Sequence, residues 1–362
     1  MTPEQPSNRR EFLRGAGCAA SAVAATCLAN RTATAAPTQQ GGRRGAQRLT
    51  VERLKQFEAL RYGMFISYDV QAFVPYEVRH SKRLTDEQRL LSPTVYAPDR
   101  LDVGQWIAVA RDAGMKYAVL TAKRHPGFCL WPSKHTNYTV ANSGNKTDVV
   151  AKFVEACAKC GVQPGLYYPS VDIYHCFGRP PQDDWKYVTS GYQTFQTNQI
   201  TELLTDYGAI AEVWIDIPSV LGRGYRTYLY DHIARLQPNS VIMMNAGIQD
   251  GTDLDSRLER FWPTDLIAIE KRLPPDGGYQ PWRTIEGKEH YLPGEVCDSI
   301  MRTSWCWKEG DTPRDDQELL AQFQACRQRG VNFLLDAPPD NHGLIPQSTV
   351  ESLMRLRRNA AI

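Results

Sequence analysis

Residues 101–127 read Leu-Asp-Val-Gly-Gln-Trp-Ile-Ala-Val-Ala-Arg-Asp-Ala-Gly-Met-Lys-Tyr-Ala-Val-Leu-Thr-Ala-Lys-Arg-His-Pro-Gly. Leu101–Ala113 has helical spacing and stops at Gly114, a residue suited to a helix C-terminus. Tyr117–Thr121 is a short β-type run, and it opens directly into the polar group Lys123-Arg124-His125. Helix, glycine, strand, polar loop is one turn of an α/β fold.

The same unit recurs along the chain. Strand-like runs are Tyr62–Tyr68, Tyr117–Thr121, Gln163–Tyr168, Ala211–Asp216, Val241–Asn245, Asp265–Ile269 and Val331–Asp336, with an eighth expected near Val296–Thr303. Helical runs are Leu101–Ala113, Asp148–Lys159, Thr194–Tyr207, Tyr225–Gln237, Asp316–Arg329 and Gln347–Arg358. Alternation of this kind implies parallel strands joined by helices. About eight strands in this length predict a (β/α)8 barrel rather than a doubly wound sheet. No Gly-x-Gly-x-x-Gly follows the first strand and no phosphate-binding Gly-x-x-x-x-Gly-Lys-Ser/Thr occurs.

The chain has 362 residues, 42 % hydrophobic and 10 % aromatic. That composition excludes a disordered chain. The net charge of +2 comes from residues 1–36, where Arg9, Arg10, Arg14 and Arg31 face Glu4 and Glu11. The remainder is neutral, which argues against a nucleic-acid partner and against a polybasic membrane surface. Asn8–Arg14 resembles a twin-arginine export motif, followed by an Ala-rich run from Gly15 to Leu28 and a small-residue site at Thr34–Pro37. We expect residues 1–36 to be a signal peptide, 37–48 a linker and 49–362 one barrel domain. The protein is then expected to be exported, to a periplasmic or extracellular location. The leader run is too short to span a bilayer, and no later run is apolar for that long.

Beyond the leader seven cysteines remain, an odd number. Cys157 and Cys160 form a C-x-x-C without a second pair at zinc spacing, so buried inert thiols are expected. No ligand cluster points to a metal, and no cofactor is expected.

In a barrel, chemistry sits at the C-terminal ends of the strands. Those ends carry Ser67-Tyr68-Asp69, Lys123-Arg124-His125, Tyr167-Tyr168, Trp214-Ile215-Asp216, Asn245 and Glu270. Asp216 and Glu270 are a carboxylate pair on alternate strands, the equipment of a retaining glycosidase. Trp131, Tyr174 and Trp262 are further aromatics near these loops. A carboxylate that ends a strand also serves to cap a helix or to pair with an arginine, and an aromatic there also serves as core.

Taken together, the segments resemble the α-L-fucosidases of glycoside hydrolase family 29. The carriers are Arg61–Tyr68, Tyr117–Trp131 with Ser133-Lys134, Gly165–Tyr168, Val213–Asp216, Asp265–Glu270, Glu295–Ile300 with Ser304-Trp305, and Gly330–Pro346. The resemblance runs from about residue 50 to the end and implies a barrel without the C-terminal β-sandwich. It implies Asp216 as nucleophile and Glu270 as acid/base, with Glu295 the runner-up. It implies a carbohydrate substrate read by Ser67, Tyr68, Arg124, His125, Tyr168, Trp214 and Glu295. Ser67 and Arg124 stand where the family carries histidines, and Pro126 where it carries an aspartate. The sugar site is therefore expected to be roomier, with substituted fucosyl groups as substrates beside plain ones. The alternative is a carbohydrate-binding protein on an inactive barrel.

Overall fold

The computed structural model describes residues 44–74, 92–175 and 187–362. The residues read as a signal peptide lie outside that range, as do residues 37–43 of the expected linker.

Eight parallel strands form the sheet: β1 (Tyr62–Ile66), β2 (Tyr117–Thr121), β3 (Gln163–Pro169), β4 (Glu212–Asp216), β5 (Val241–Asn245), β6 (Ile267–Glu270), β9 (Gly294–Ser299) and β10 (Asn332–Asp336). Their order is β5-β4-β3-β2-β1-β10-β9-β6. A parallel bridge between Met243 and Leu266 brings β5 to the approach of β6, so the sheet curls into a nearly closed barrel. Helices α2 (Val103–Asp112), α3 (Val149–Cys160), α4 (Ser190–Thr205), α5 (Arg223–Leu236), α6 (Leu254–Phe261), α7 (Asp316–Arg329) and α8 (Gln347–Ala360) belong to its crossovers and outer layer. Asp148 caps α3 by accepting from Ala151 N, and Gly161 ends it at φ 69°, a left-handed conformation that favours glycine.

Helix α6, an antiparallel hairpin and an N-terminal helix lie outside the sequence-based expectation. Between β6 and β9 the crossover is an antiparallel hairpin, β7 (Trp282–Ile285) with β8 (Lys288–Tyr291). Its two turn residues, Glu286 and Gly287, both have positive φ, as a tight hairpin turn demands. Helix α1 (Val51–Glu58), capped by Thr50, sets Leu54 and Phe57 into the same apolar cluster as the barrel interior. The eighth barrel strand begins at Gly294, earlier than expected. Residues 44–48 are fastened to the body: Gly45 N donates to Glu289 O, and Arg48 pairs with Asp265.

Alternation sorts the strands into two apolar layers. Phe65, Tyr117, Val119, Tyr167, Trp214, Met243, Ala268, Cys297 and Leu334 share the inner cluster. Their neighbours Met64, Ala118, Leu120, Val213, Ile215 and Ile242 pack in the outer one. The interior is tight at its base. A Cβ on Gly63 would lie 2.5 Å from the Tyr117 ring, itself wedged 5.3 Å from the Phe57 ring.

Among the described residues Cys129, Cys157, Cys160, Cys297 and Cys326 are free thiols, and all of these but Cys160 are buried. No described helix is long and apolar enough to cross a membrane. Gly63→Ala is expected to cost about 1–3 kcal/mol by overpacking, because a buried ring cannot swing aside. Chemical denaturation of the two proteins measures it, and an unchanged midpoint would show that the barrel base yields.

Candidate active site

Asp216 ends β4 and lies opposite Asn245, which ends β5. It receives three hydrogen bonds. Tyr167 Oη donates to Oδ2 at 2.6 Å, Asn245 Nδ2 donates to Oδ1 at 2.8 Å, and His125 Nε2 lies 3.2 Å from Oδ2. Burial opposes the charge on Asp216, but bonds from His125, Tyr167 and Asn245 outweigh it and hold the carboxyl below its ordinary pKa of 3.8. Tyr167 can act as donor because burial, and then the Asp216 charge, push its own pKa well up.

Glu270 ends β6. Asn245 Nδ2 also reaches its Oε2, at 3.3 Å, so one amide ties the two carboxyl groups together. Burial raises the pKa of Glu270 above 4.5, and the nearby charge of Asp216 adds to the rise. One acid is thus kept ionised and the other is biased toward the proton, as a nucleophile and a general acid require.

The pocket is lined by Phe65, Arg124, His125, Tyr167, Trp214, Asp216, Asn245, Glu270, Cys297 and Trp305. Phe65 packs between Trp214 and Trp305, with ring centroids 5.4 and 6.2 Å away. Tyr167 stacks on Trp214 at 5.7 Å. The described lining encloses about 100 Å³. Pockets for drug-sized ligands run to ~300–1,000 Å³, so this one suits a single sugar ring.

Of the residues expected from the sequence, Arg124, His125, Trp214, Asp216 and Glu270 come together here. Ser67 is buried just behind, where its Oγ accepts from Arg124 Nη1 at 2.9 Å. The space beside Ser67 is therefore filled by a guanidinium, and the expected roominess is not found there. Burial opposes the charge of Arg124, but Cys306, Tyr167, Asp69 and Asp336 around it favour that charge more. Arg124 Nε is buried and bonds to nothing among the described residues. Behind it burial lifts the Asp336 carboxyl to about 7, against the pull of Arg124.

Three expected residues lie elsewhere. Tyr68 is fully buried edge-on to Trp106 and Tyr96. Tyr168 points away from the interior, where its Oη accepts from Lys123 Nζ at 2.7 Å. That buried lysine also bonds Asp172 at 2.7 Å and Gln199 at 3.0 Å, and Ile173 N donates to His125 O at 2.8 Å. The cluster latches the loop that carries His125 to the loop after β3. Glu295 is the second residue of β9, rather than its last, and is fully buried beneath Trp214. Phe65, Tyr167, Asn245, Cys297 and Trp305 were not among the expected binding residues. Tyr167 and Asn245 stand at strand ends and Trp305 in a quoted motif, so the signal was present. No group of three or more His, Cys, Asp or Glu side chains among the described residues could hold a metal.

A parallel barrel with two carboxyl groups facing each other at the C-terminal ends of β4 and β6 has the build of a barrel glycosidase. A model of the α-L-fucosidase family matches residues 46–358. Alpha-L-fucosidase 1 of Arabidopsis thaliana is 33% identical over 273 residues, covering 72% of this chain and 52% of that protein. The alpha-L-fucosidase of Branchiostoma floridae is 34% identical over 258 residues, covering 67% and 51%. Alpha-L-fucosidase isoenzyme 1 from Paenibacillus thiaminolyticus superposes with a TM-score of 0.71 at 27% identity, over 86% of this chain and 75% of that one. The chain belongs to the α-L-fucosidase family. It spans about half the length of these curated relatives.

The two shifted acids set the pH profile. If Asp216 serves as an ionised nucleophile and Glu270 as a protonated acid, kcat/KM should fall below the lowered pKa of Asp216 and above the raised pKa of Glu270. Glu270→Gln should abolish the alkaline limb. Persistence of that limb in Glu270→Gln would assign it to another group.

Proposed function

We propose that the chain is an exported retaining glycosidase that cleaves α-L-fucosyl linkages, plain or substituted. The observation that carries this reading is the Asp216–Asn245–Glu270 bridge, with its two carboxyl groups biased in opposite senses.

An Asp216 oxygen attacks the anomeric carbon as the glycosidic C–O bond breaks. The leaving oxygen takes the proton of Glu270, and the sugar becomes an ester of Asp216. Glu270, now a carboxylate, takes a proton from water. That water attacks the anomeric carbon and the ester bond breaks, which restores both acids and the original configuration. Tyr167 and His125 fix the attacking carboxylate in place. Trp214, Phe65 and Trp305 offer aromatic faces to the C–H surface of the ring.

Arg124 commits one N–H to Ser67 and brings its charge to the pocket wall. A guanidinium fork matches hydroxyl pairs and, more strongly, oxyanions. This supports substituted fucosides, sulfated ones included, as substrates. Export rests on Asn8–Arg14 and the apolar run behind it.

Asp216→Asn is expected to fold and to lose at least a thousandfold in kcat, about 4 kcal/mol of barrier. Azide should restore turnover of an aryl fucoside with inverted product. Activity within tenfold of the parent would remove Asp216 from the role. A parent protein that binds fucosides without turning them over would instead be a carbohydrate-binding barrel. On plain and sulfated aryl α-L-fucosides side by side, Arg124→Met should lower kcat/KM more for the sulfated one. An equal loss on both would confine Arg124 to neutral hydroxyls. Replacement of Arg9 and Arg10 together by Lys should leave the protein in the cytoplasm, as cell fractionation would show. Unchanged export would dismiss the twin-arginine route.

A further inference from the structure

Beneath the pocket lies a second pair of acids that the proposed chemistry does not use. Glu212 opens β4 and Glu295 is the second residue of β9, and both are fully buried. Glu295 Oε2 accepts from Tyr117 Oη at 2.6 Å, and its Oε1 accepts from Trp214 Nε1 at 3.1 Å. Both Glu212 oxygens are buried and reach no N–H or other hydroxyl among the described residues. The group they face is the Glu295 carboxyl.

Two unscreened carboxylates cannot both ionise at contact distance. A buried acceptor without a donor is itself costly. One proton between the two acids removes both difficulties. Its place follows from the donors already present. Both Glu295 oxygens are engaged as acceptors, by a phenol and an indole, so Glu295 is the better home for the negative charge. Glu212 has no donor among the described residues, so it keeps the proton and gives it as a third hydrogen bond to Glu295. Burial and the Glu295 charge push Glu212 well up, which agrees with this order.

We propose that Glu212 and Glu295 share one proton under the barrel pocket, and that the resulting anchored Glu295 is a positioning residue for the Trp214 sugar platform. Glu295 then acts through the indole and does not touch the glycosidic oxygen. The inference builds on the glycosidase reading only where it concerns turnover; the shared proton and the anchored indole stand apart from it.

The experiment has two spectroscopic arms and one kinetic arm. In difference infrared spectra at neutral pH, the parent should show a protonated-carboxyl carbonyl band that Glu212→Gln removes. In 15N-edited spectra, the Trp214 indole N–H resonance, assigned by its loss in Trp214→Phe, should move in Glu295→Gln and hold its place in Glu212→Gln. The side-chain amide introduced by Glu212→Gln still donates where the neutral carboxyl did. The amide introduced by Glu295→Gln has only one acceptor oxygen for two donors, so one of Tyr117 and Trp214 must let go.

In kinetics, Glu295→Gln should raise KM at least fivefold, with kcat within threefold and the same change for good and poor leaving groups. Glu212→Gln should stay within threefold of the parent in both. A kcat loss concentrated on poor leaving groups in Glu295→Gln would make Glu295 the acid and overturn the proposal. So would a parent-minus-Glu212→Gln difference spectrum with no lost protonated-carboxyl band, the bands of Glu270 and Asp336 being common to both proteins. Should Glu295→Gln not fold, the infrared band of Glu212→Gln still decides the shared proton. Should the parent hydrolyse no fucoside, both spectroscopic arms keep their meaning, and only the function in the preceding section falls.

Discussion

Strand β4 turns Glu212, Trp214 and Asp216 toward the barrel interior, because side chains alternate across a strand. Val213 and Ile215 point outward into the helix layer. This parity is the constraint on which the site depends. A slip of one residue would send Asp216 and its aromatic neighbour into the outer core and bring two aliphatic side chains into the pocket. The register with β3 and β5 prevents it, with Asp216 opposite Pro169 on one side and Asn245 on the other. A buried apolar layer on each face of the sheet holds that register. Placement of an acid at the mouth is thus secured by the packing of its neighbours.

From this column the electrostatics follow. Asp216 loses hydration by burial and regains it as three fixed donors, His125 after β2, Tyr167 on β3 and Asn245 on β5. Such donors are already oriented, so the charge on Asp216 is stabilised without reorganisation of its surroundings. Asn245 is the pivotal one. Its amide contacts both acids, and at the shorter distance it favours Asp216. Glu270 keeps the weaker bond from that amide, and its higher proton affinity comes from burial and then from the charge of Asp216.

Much of this architecture was legible in the sequence. Strand runs followed by polar residues predicted both the barrel and the place of Asp216 and Glu270, because periodicity and strand ends are local properties. The hairpin β7–β8 was missed although Glu286-Gly287 between two β-type runs is a turn signal. Tyr167 and Tyr168 show where local reading stops. They are adjacent and chemically alike, yet one stacks on Trp214 and the other meets Lys123 in the outer layer. Only the pairing register with β4 tells them apart. Glu295 failed for a related reason. A strand placed two residues late makes its opening residues look like part of a loop. Arg124 shows the remaining limit: a missing histidine reads as a vacancy in sequence, whereas in space a long guanidinium reaches Ser67 and fills it.

The barrel holds two pairs of acids, one on each side of the Trp214 indole, and they reach opposite outcomes from the same starting chemistry. At the mouth the donors converge on one member, so the pair divides into a carboxylate and a group biased toward the proton. At the base the donors also converge on one member, but the second acid lies within reach of the first, and the proton becomes a bond between them. Separation decides which result obtains. Asn245 acts as a spacer at the mouth, where β5 lies between β4 and β6 in chain order and closes the barrel. At the base Glu212 and Glu295 meet directly, where the interior narrows under Tyr117. The taper of the barrel thus holds one carboxyl pair apart and brings the other together, and Trp214 divides the two.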